Sequence, residues 1–288
     1  MVHIAPVTPL RTPQVPGVDD ALRVLAGRTF AVLTGAGIST DSGIPDYRGE
    51  GAPKNHPMSL NEFLSSEERR KRYWMGSHLG WHAFHAAQPN LGHIAIAQME
   101  RDGIANGVIT QNVDGLHHEA GSLRVVDLHG RLDKVRCLQC GQSFARGAIA
   151  AQMERDNPEF TRQVSPNQVM PDGDVTVSSD IDFTIPQCDL CAGILKPEVV
   201  FFGEFVPTSV FHMAAQMVDR AEALVVAGSS LVVNTGMRLV AQAQKRKKPV
   251  IVINRGPTKA DQLATVRIEA GTSEALVAMS EAVRVSVA

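Results

Sequence analysis

Four short runs, Phe30–Thr34, Val108–Thr110, Ala223–Ala227 and Val250–Ile253, are apolar almost from end to end. A strand with one face in water alternates polar and apolar residues, so runs without a polar face must be buried on both sides. A parallel sheet with helices packed over both faces buries them that way, and 288 residues with 44% hydrophobic content are enough for such a core plus a smaller satellite. The intervening stretches supply the helices. Asn90–Arg101, Thr208–Ala221 and Asn234–Lys245 carry apolar residues at helical spacing, the first with an asparagine cap and a stop at Gly103. The chain is therefore expected to be α/β.

Two stretches break the alternation. From Gly49 to Phe84 a capping-box signature, Ser59-Leu60-Asn61-Glu62, precedes a charged helix through Arg70 and then Tyr73 and Trp74, which reads as a small helical insertion. From Val135 to Lys196 the chain is bracketed by cysteines and rich in Asp, Pro, Gly and Ser around Pro171–Asp182, too polar for the main core. The chain's 4 cysteines fall in two close pairs, Cys137-Leu138-Gln139-Cys140 and Cys188-Asp189-Leu190-Cys191. Disulfide-rich secreted domains do not space them so, whereas two Cys-x-x-Cys knuckles suit one tetrahedral Zn²⁺. Four thiolates leave no position for water, so the expected ion is structural and holds together a module with little core of its own. The 47 residues between the pairs exceed the common ribbon interval, so a loop must bulge from it.

These readings divide the chain into a discontinuous main domain over 17–48, 87–134 and 197–288, a helical insertion over 49–86 and a zinc-binding module over 135–196. Residues 1–16, with prolines at 6, 9, 13 and 16, read as an extended arm. A net charge of −2 argues against nucleic acid or a membrane surface as the main ligand. The run Lys245-Arg246-Lys247-Lys248 sits where a helix should end and suits the helix dipole better than a binding patch. No apolar run approaches the roughly 20 residues that cross a bilayer, and the leader lacks a signal-peptide layout, so the expected location is cytoplasmic.

Three polar constellations follow apolar strands. Phe30–Thr34 runs into Gly35-Ala36-Gly37-Ile38-Ser39-Thr40, whose glycines let backbone amides approach a pyrophosphate at a helix start. The match to the dinucleotide fingerprint is imperfect, since Thr40 stands where its third glycine would fall and no second strand ending in an acid follows. A hydride-transferring dehydrogenase is thereby disfavoured, and a tight turn without ligand would use the same residues. Thr110-Gln111-Asn112-Val113-Asp114-Gly115 places two amides and an acid at a strand's carboxyl end, where open α/β sheets bind ligands. Asp127-Leu128-His129-Gly130 offers a candidate general base in His129, since neutral imidazole accepts a hydroxyl proton near pH 7. A lone histidine is as a rule structural, and only its company argues otherwise.

That company resembles the sirtuin family. Gly35-Ala36-Gly37-Ile38-Ser39, Ile44-Pro45-Asp46-Tyr47-Arg48, Thr110–Asp114, Leu128-His129-Gly130 and the paired knuckles occur in sirtuin order, followed by Leu195–Glu204, Gly228-Ser229-Ser230-Leu231 and Ile253-Asn254-Arg255-Gly256. Arg72-Tyr73-Trp74, Pro171-Asp172-Gly173-Asp174 and Gly256-Pro257-Thr258 look most like class II sirtuins of the mitochondrial lipoamidase and ADP-ribosyltransferase type and their bacterial relatives. The resemblance implies a Rossmann-like parallel sheet with helices on both faces, plus a small zinc-ribbon and helical module.

It also implies an NAD-dependent protein-lysine deacylase acting on acyl-lysine proteins or peptides, with NAD consumed as co-substrate and one structural Zn²⁺ on Cys137, Cys140, Cys188 and Cys191. NAD would be held by Gly35, Ala36, Gly37, Ser39, Thr40, Asp46, Tyr47 and Arg48, by Gln111, Asn112, Val113, Asp114 and His129, and by Gly228, Ser229, Ser230, Asn254, Arg255 and Gly256. Asn112 and Asp114 would face the nicotinamide end. In the family reaction the acyl oxygen attacks the ribose carbon bearing nicotinamide, nicotinamide leaves, and His129 then activates a ribose hydroxyl. Val200, Phe201, Phe202, Gly203 and Glu204 resemble the strand edge that pairs with the peptide backbone, although Phe201 and Phe202 would serve equally as core aromatics. One departure concerns the acyl group: family members that prefer acidic chains carry Tyr followed three residues later by Arg, and here Tyr73 is followed by Gly76. Neutral or lipoyl-type chains are therefore expected. Protein mono-ADP-ribosyl transfer at the same ribose carbon is the competing enzymatic reading, and a non-enzymatic NAD-sensing zinc protein the competing one of another class.

Overall fold

The computed structural model describes residues 15–47, 57–160, 169–175, 177 and 182–287. The arm expected over 1–16 lies outside them up to residue 14. The strands are β1 (Phe30–Thr34), β2 (Ala105–Thr110), β3 (Val125–Asp127), β4 (Gly130–Cys137), β5 (Ser143–Ala145), β6 (Leu195–Val199), β7 (Ala223–Ala227), β8 (Val250–Ile253) and β9 (Val266–Ile268). The helices are α1 (Val18–Leu25), α2 (Leu60–Ser65), α3 (Glu67–His85), α4 (Leu91–Arg101), α5 (Leu116–Glu119), α6 (Arg146–Asp156), α7 (Thr208–Arg220), α8 (Asn234–Lys245) and α9 (Thr272–Val287).

Six strands form a parallel sheet in the order β3-β2-β1-β7-β8-β9. Every residue of β1, β7 and β8 is buried, as their lack of a polar face demands. One face carries an apolar layer that includes Ala21 of α1, Ile96 of α4 and Leu276 of α9, and the other a layer with Val218 of α7 and Leu239 of α8. The chain winds outward from β1 through β2 to β3, then returns to β7 on the other side of β1, so the topological switch lies at β1. Register aligns Thr34 with both Thr110 and Ala227, and Thr110 with Asp127. The loops after β1, β2, β3 and β7 therefore leave one common edge, where such sheets bind ligands.

The basic run behaves as its position suggests. Lys248 Nζ donates to the carbonyls of Val218, Asp219 and Ala221 at the end of α7, and Arg246 pairs with Asp219 at 3.2 Å.

Outside the main sheet, β5-β4-β6 form a three-stranded antiparallel sheet in which Pro197, lacking an amide donor, sits on edge strand β6. The cysteine-bracketed stretch shares a core with the helical insertion: Phe63, Trp74 and Phe84 pack with Val135, Ile149 and Met153. Buried Arg146 joins the two, its guanidinium lying 5.4 Å and 5.0 Å from the Trp74 and Trp81 rings and donating to the Ser77 carbonyl. The insertion also holds two helices rather than one. Ser59 and Glu62 form the expected capping box on α2, but Ser66 adopts extended backbone and caps α3 through Arg69 N. Among the described residues no helix is long and apolar enough to cross a membrane.

Candidate active site

The first glycine turn does not open a long helix. Ala36–Ile38 and Thr40–Ser42 are single 3-10 turns, ended by left-handed Gly43 and followed by Pro45. What the glycines provide is close approach between loops. A Cβ on Gly35 would lie 2.8 Å from Ser229 Cβ, and one on Gly37 2.9 Å from Gly228 Cα. Gly37 N donates to Gly228 O at 2.8 Å, which ties the turn after β1 to the turn after β7.

The segment after β2 closes against the same turn. Gln111 Nε2 donates to Thr34 O and to Ser229 Oγ, at 3.1 Å and 2.8 Å. Asn112 Nδ2 donates to Ser39 Oγ at 3.0 Å, and the Ser39 hydroxyl donates to Asp114 Oδ2 at 2.7 Å. Asp114 Oδ1 accepts from Leu116 N. Burial raises the Asp114 pKa, while the donors at Leu116, Ser39 and Asn112 oppose the shift.

His129 completes the group. Its Nδ1 lies 3.0 Å from the Gln111 carbonyl, an acceptor only, so Nδ1 carries the hydrogen and the neutral ring presents a lone pair at Nε2. Thr235 Oγ1 is 3.0 Å from that Nε2 and donates to it. Burial lowers the His129 pKa, only partly offset by the Gln111 carbonyl, so the ring is neutral at physiological pH. In a titration of labelled histidines by NMR, the resonance lost in His129→Asn is expected to show a midpoint below 6.5. A midpoint above that value would contradict the environment described.

A cavity of about 550 Å³ joins these parts. It is lined by Gly35, Ala36, Gly37 and Ser39, by Asp46 and Tyr47, by Gln111, Asn112, Val113, Asp114 and His129, and by Gly228, Ser229 and Ser230. Asn254, Arg255 and Gly256 after β8 also line it, Asn254 Nδ2 being held by the Arg255 and Gly256 carbonyls. Thr40 does not line it: the side chain is exposed, and its hydroxyl donates to the Gly37 carbonyl, making it a turn residue. Arg48 lies outside the described residues.

Val200, Phe201, Phe202, Gly203 and Glu204 line the cavity as well. Val200 N donates to His129 O at 2.8 Å, and a Cβ on Gly130 would lie 2.0 Å from Glu198 O, so the end of β6 runs directly beside the backbone of His129 and Gly130. Lys196 Nζ meets Glu204 Oε2 at 3.0 Å and donates to Val199 O, which pins this segment. Phe201 is buried between Phe63 and Tyr73, each ring 5.2 Å away, whereas Phe202 is half exposed. The two aromatics thus divide between core and surface. Thr235 escaped sequence reasoning, since nothing in the pattern of α8 couples it to a histidine 106 residues earlier.

The four cysteine sulfurs lie within 4.8 Å of one another, with Cys137 and Cys191 at 3.5 Å and Cys140 and Cys188 at 3.7 Å. Tetrahedral Zn–S bonds of about 2.3 Å place sulfurs about 3.8 Å apart, so the set fits the ion. Amides of Cys140 and Gln139 aimed at Cys137 lower its pKa and favour the thiolate. A Cβ on Gly193 would lie 2.8 Å from Cys137 Sγ, which explains a glycine after the second knuckle.

A family model described as Sir2 family matches residues 35–235. The chain is 46% identical over 265 residues to NAD-dependent protein deacetylase 1 of Mycobacterium avium, covering 91% of this chain and 94% of that protein. It is 38% identical over 260 residues to the mitochondrial NAD-dependent protein lipoamidase sirtuin-4 of Bos taurus, covering 88% and 82%. Among solved structures, a complex of Sir2 with a p53 peptide and NAD+ superposes with a TM-score of 0.73 at 30% identity, covering 94% and 98%. The chain belongs to the Sir2 family, the sirtuins.

Proposed function

We propose that this chain is an NAD-dependent protein-lysine deacylase whose active centre is the cavity at the carboxyl edge of the six-stranded sheet. The observation that carries this reading is the convergence of four loops, those after β1, β2, β3 and β7. The Gln111 carbonyl fixes the His129 tautomer, the same residue's amide reaches Ser229, and Ser39 of the glycine turn bonds both Asn112 and Asp114.

The residues fit a dinucleotide. The turns after β1 and β7, held together at Gly35, Gly37 and Gly228, line the cavity with backbone along which a pyrophosphate can lie, and Asn254 with Ser229 offers polar groups for the adenosine side. NAD, when bound, supplies a ribose carbon activated by its nicotinamide leaving group. Asn112 and Asp114 hold the nicotinamide end, and His129 Nε2 accepts the proton of a ribose hydroxyl, displacing the Thr235 hydroxyl as its donor. Val200–Glu204 pairs with the backbone of the acyl-lysine peptide and delivers the acyl group beside His129. The shared core of the insertion and the cysteine module supports grouping 49–86 with 135–196 as one small domain against a main domain of 17–48, 87–134 and 197–288.

Purified protein with NAD and an acetyl-lysine peptide is expected to release nicotinamide together with O-acyl-ADP-ribose, both measured by mass spectrometry. ADP-ribose attached to protein, with the peptide still acylated, would instead establish the transferase reading.

A further inference from the structure

On its α3 side the cavity is bounded by Tyr73, Pro171, Asp172 and Asp174. The turn carrying the two aspartates lies directly on the helix, across glycines one helical turn apart. A Cβ on Gly76 would be 2.0 Å from Asp174 Oδ1 and 2.3 Å from Val175 O, and one on Gly80 2.1 Å from Gly173 O. The missing side chain at 76 is thus replaced in space by a carboxylate. Where a longer residue there would add a donor, this chain presents acceptors.

Those acceptors are incompletely used. Asp174 Oδ1 accepts from Val175 N at 2.8 Å and Asp172 Oδ1 from Asp174 N at 3.4 Å. Among the described residues, no ion pair reaches either carboxylate. The cation acting on Asp174 is Arg72, exposed on α3, while buried Arg146 acts on Tyr73. Burial raises the pKa of both aspartates, and the charge of Asp172 helps push Asp174 up to about 8. With Asp174 pushed up to about 8, the half-buried pair shares one proton and keeps one negative charge at neutral pH. With no ion pair to it among the described residues, that charge gains most from N–H donors brought by a ligand and repels a third carboxylate.

We infer that Asp172 and Asp174 set acyl specificity, selecting lysine acyl chains whose far end donates N–H hydrogen bonds and rejecting chains that end in a carboxylate. This deepens the deacylase reading and rests on it. A neutral carboxamide and an ammonium share the required chemistry, and the test separates them.

One peptide is prepared with acetyl, heptanoyl, adipoyl, adipamoyl or 6-aminohexanoyl on its lysine, and kcat/KM is measured by nicotinamide release. The adipamoyl or 6-aminohexanoyl peptide is expected to exceed heptanoyl by about tenfold or more and adipoyl by a wider margin, in keeping with hydrogen bonds to charged groups. Which of the two leads tells whether the pair takes an amide or a cation. In Asp174→Asn, and in Asp172→Asn should the first fail to fold, the ratio of the donor-ended peptide to adipoyl is expected to fall about tenfold. Adipoyl turnover equal to or above the donor-ended chains, heptanoyl equal to them, or an unchanged ratio in the folded variants would overturn the inference while acetyl turnover left the deacylase reading intact. No nicotinamide release from any peptide, acetyl included, would overturn both.

Discussion

His129→Asn is expected to lower O-acyl-ADP-ribose formation by about 10²- to 10⁴-fold, the usual contribution of a positioned base, while leaving NAD affinity near that of the parent chain. Asparagine's amide can still donate toward the Gln111 carbonyl, which is what Nδ1 does now at 3.0 Å. It has no basic atom to replace Nε2. The glycine cradle and the bonds from Ser39 to Asn112 and Asp114 do not involve the imidazole, so binding should survive. A finer readout follows from the order of events: nicotinamide leaves before the base acts, so exchange of labelled nicotinamide into NAD should persist after deacylation is lost. Calorimetry for NAD and product analysis by mass spectrometry check the two halves. Near-normal product formation in the variant would remove His129 from the role, and lost NAD binding would make it a structural residue.

Much of this was readable from the chain because burial and chemistry pull in the same direction at strand ends. A strand buried on both faces has little room for charged or amide side chains, so the run of such residues after β2 and the serines after β7 are expected at the sheet's edge. Gln111, Asn112, Asp114, Ser229 and Ser230 are such residues, and all line the cavity. The knuckle spacing was equally explicit, since ligand geometry leaves few alternatives.

What stayed hidden was set by tertiary contact. Nothing local says that the turn after β1 tightens into 3-10 geometry; the bond from Gly37 N to Gly228 O, from a strand nearly two hundred residues later, decides it. Thr40 reads as part of the phosphate loop by proximity, yet the turn rotates its side chain outward. The contact of Thr235 with His129 depends on how the start of α8 meets the turn after β3, which no periodicity reports. One signal was available and is informative in hindsight. Gly76 and Gly80 sit inside a long helix, where glycine weakens helix formation by about 1 kcal/mol relative to alanine. Such glycines imply a backbone lying close by, here Gly173–Val175.

Removing the metal is expected to abolish activity although the cysteines do not line the cavity. Cys137 ends β4 and Cys191 lies four residues before β6 begins, so the ion would clamp one end of the β4–β6 ladder. The other end of that ladder is the catalytic region: Gly130 pairs with Val199, and Val200 N bonds the His129 carbonyl. Structural zinc in small peptides contributes about 10–16 kcal/mol of apparent binding free energy at pH 7, more than the whole stability of many domains. The shared apolar core of Phe63, Trp74, Val135 and Met153 offsets part of that loss. The outcome expected on treatment with a strong zinc chelator is therefore local. In hydrogen exchange, amides of β4 and β6 should lose protection, while buried β1, β7 and β8 keep theirs. Elemental analysis should give one zinc per chain before treatment, and Cys140→Ala should reproduce the chelated state. Full turnover and unchanged protection in metal-free protein would mean that the apolar core alone holds β6 against His129, and the clamp would have to be abandoned.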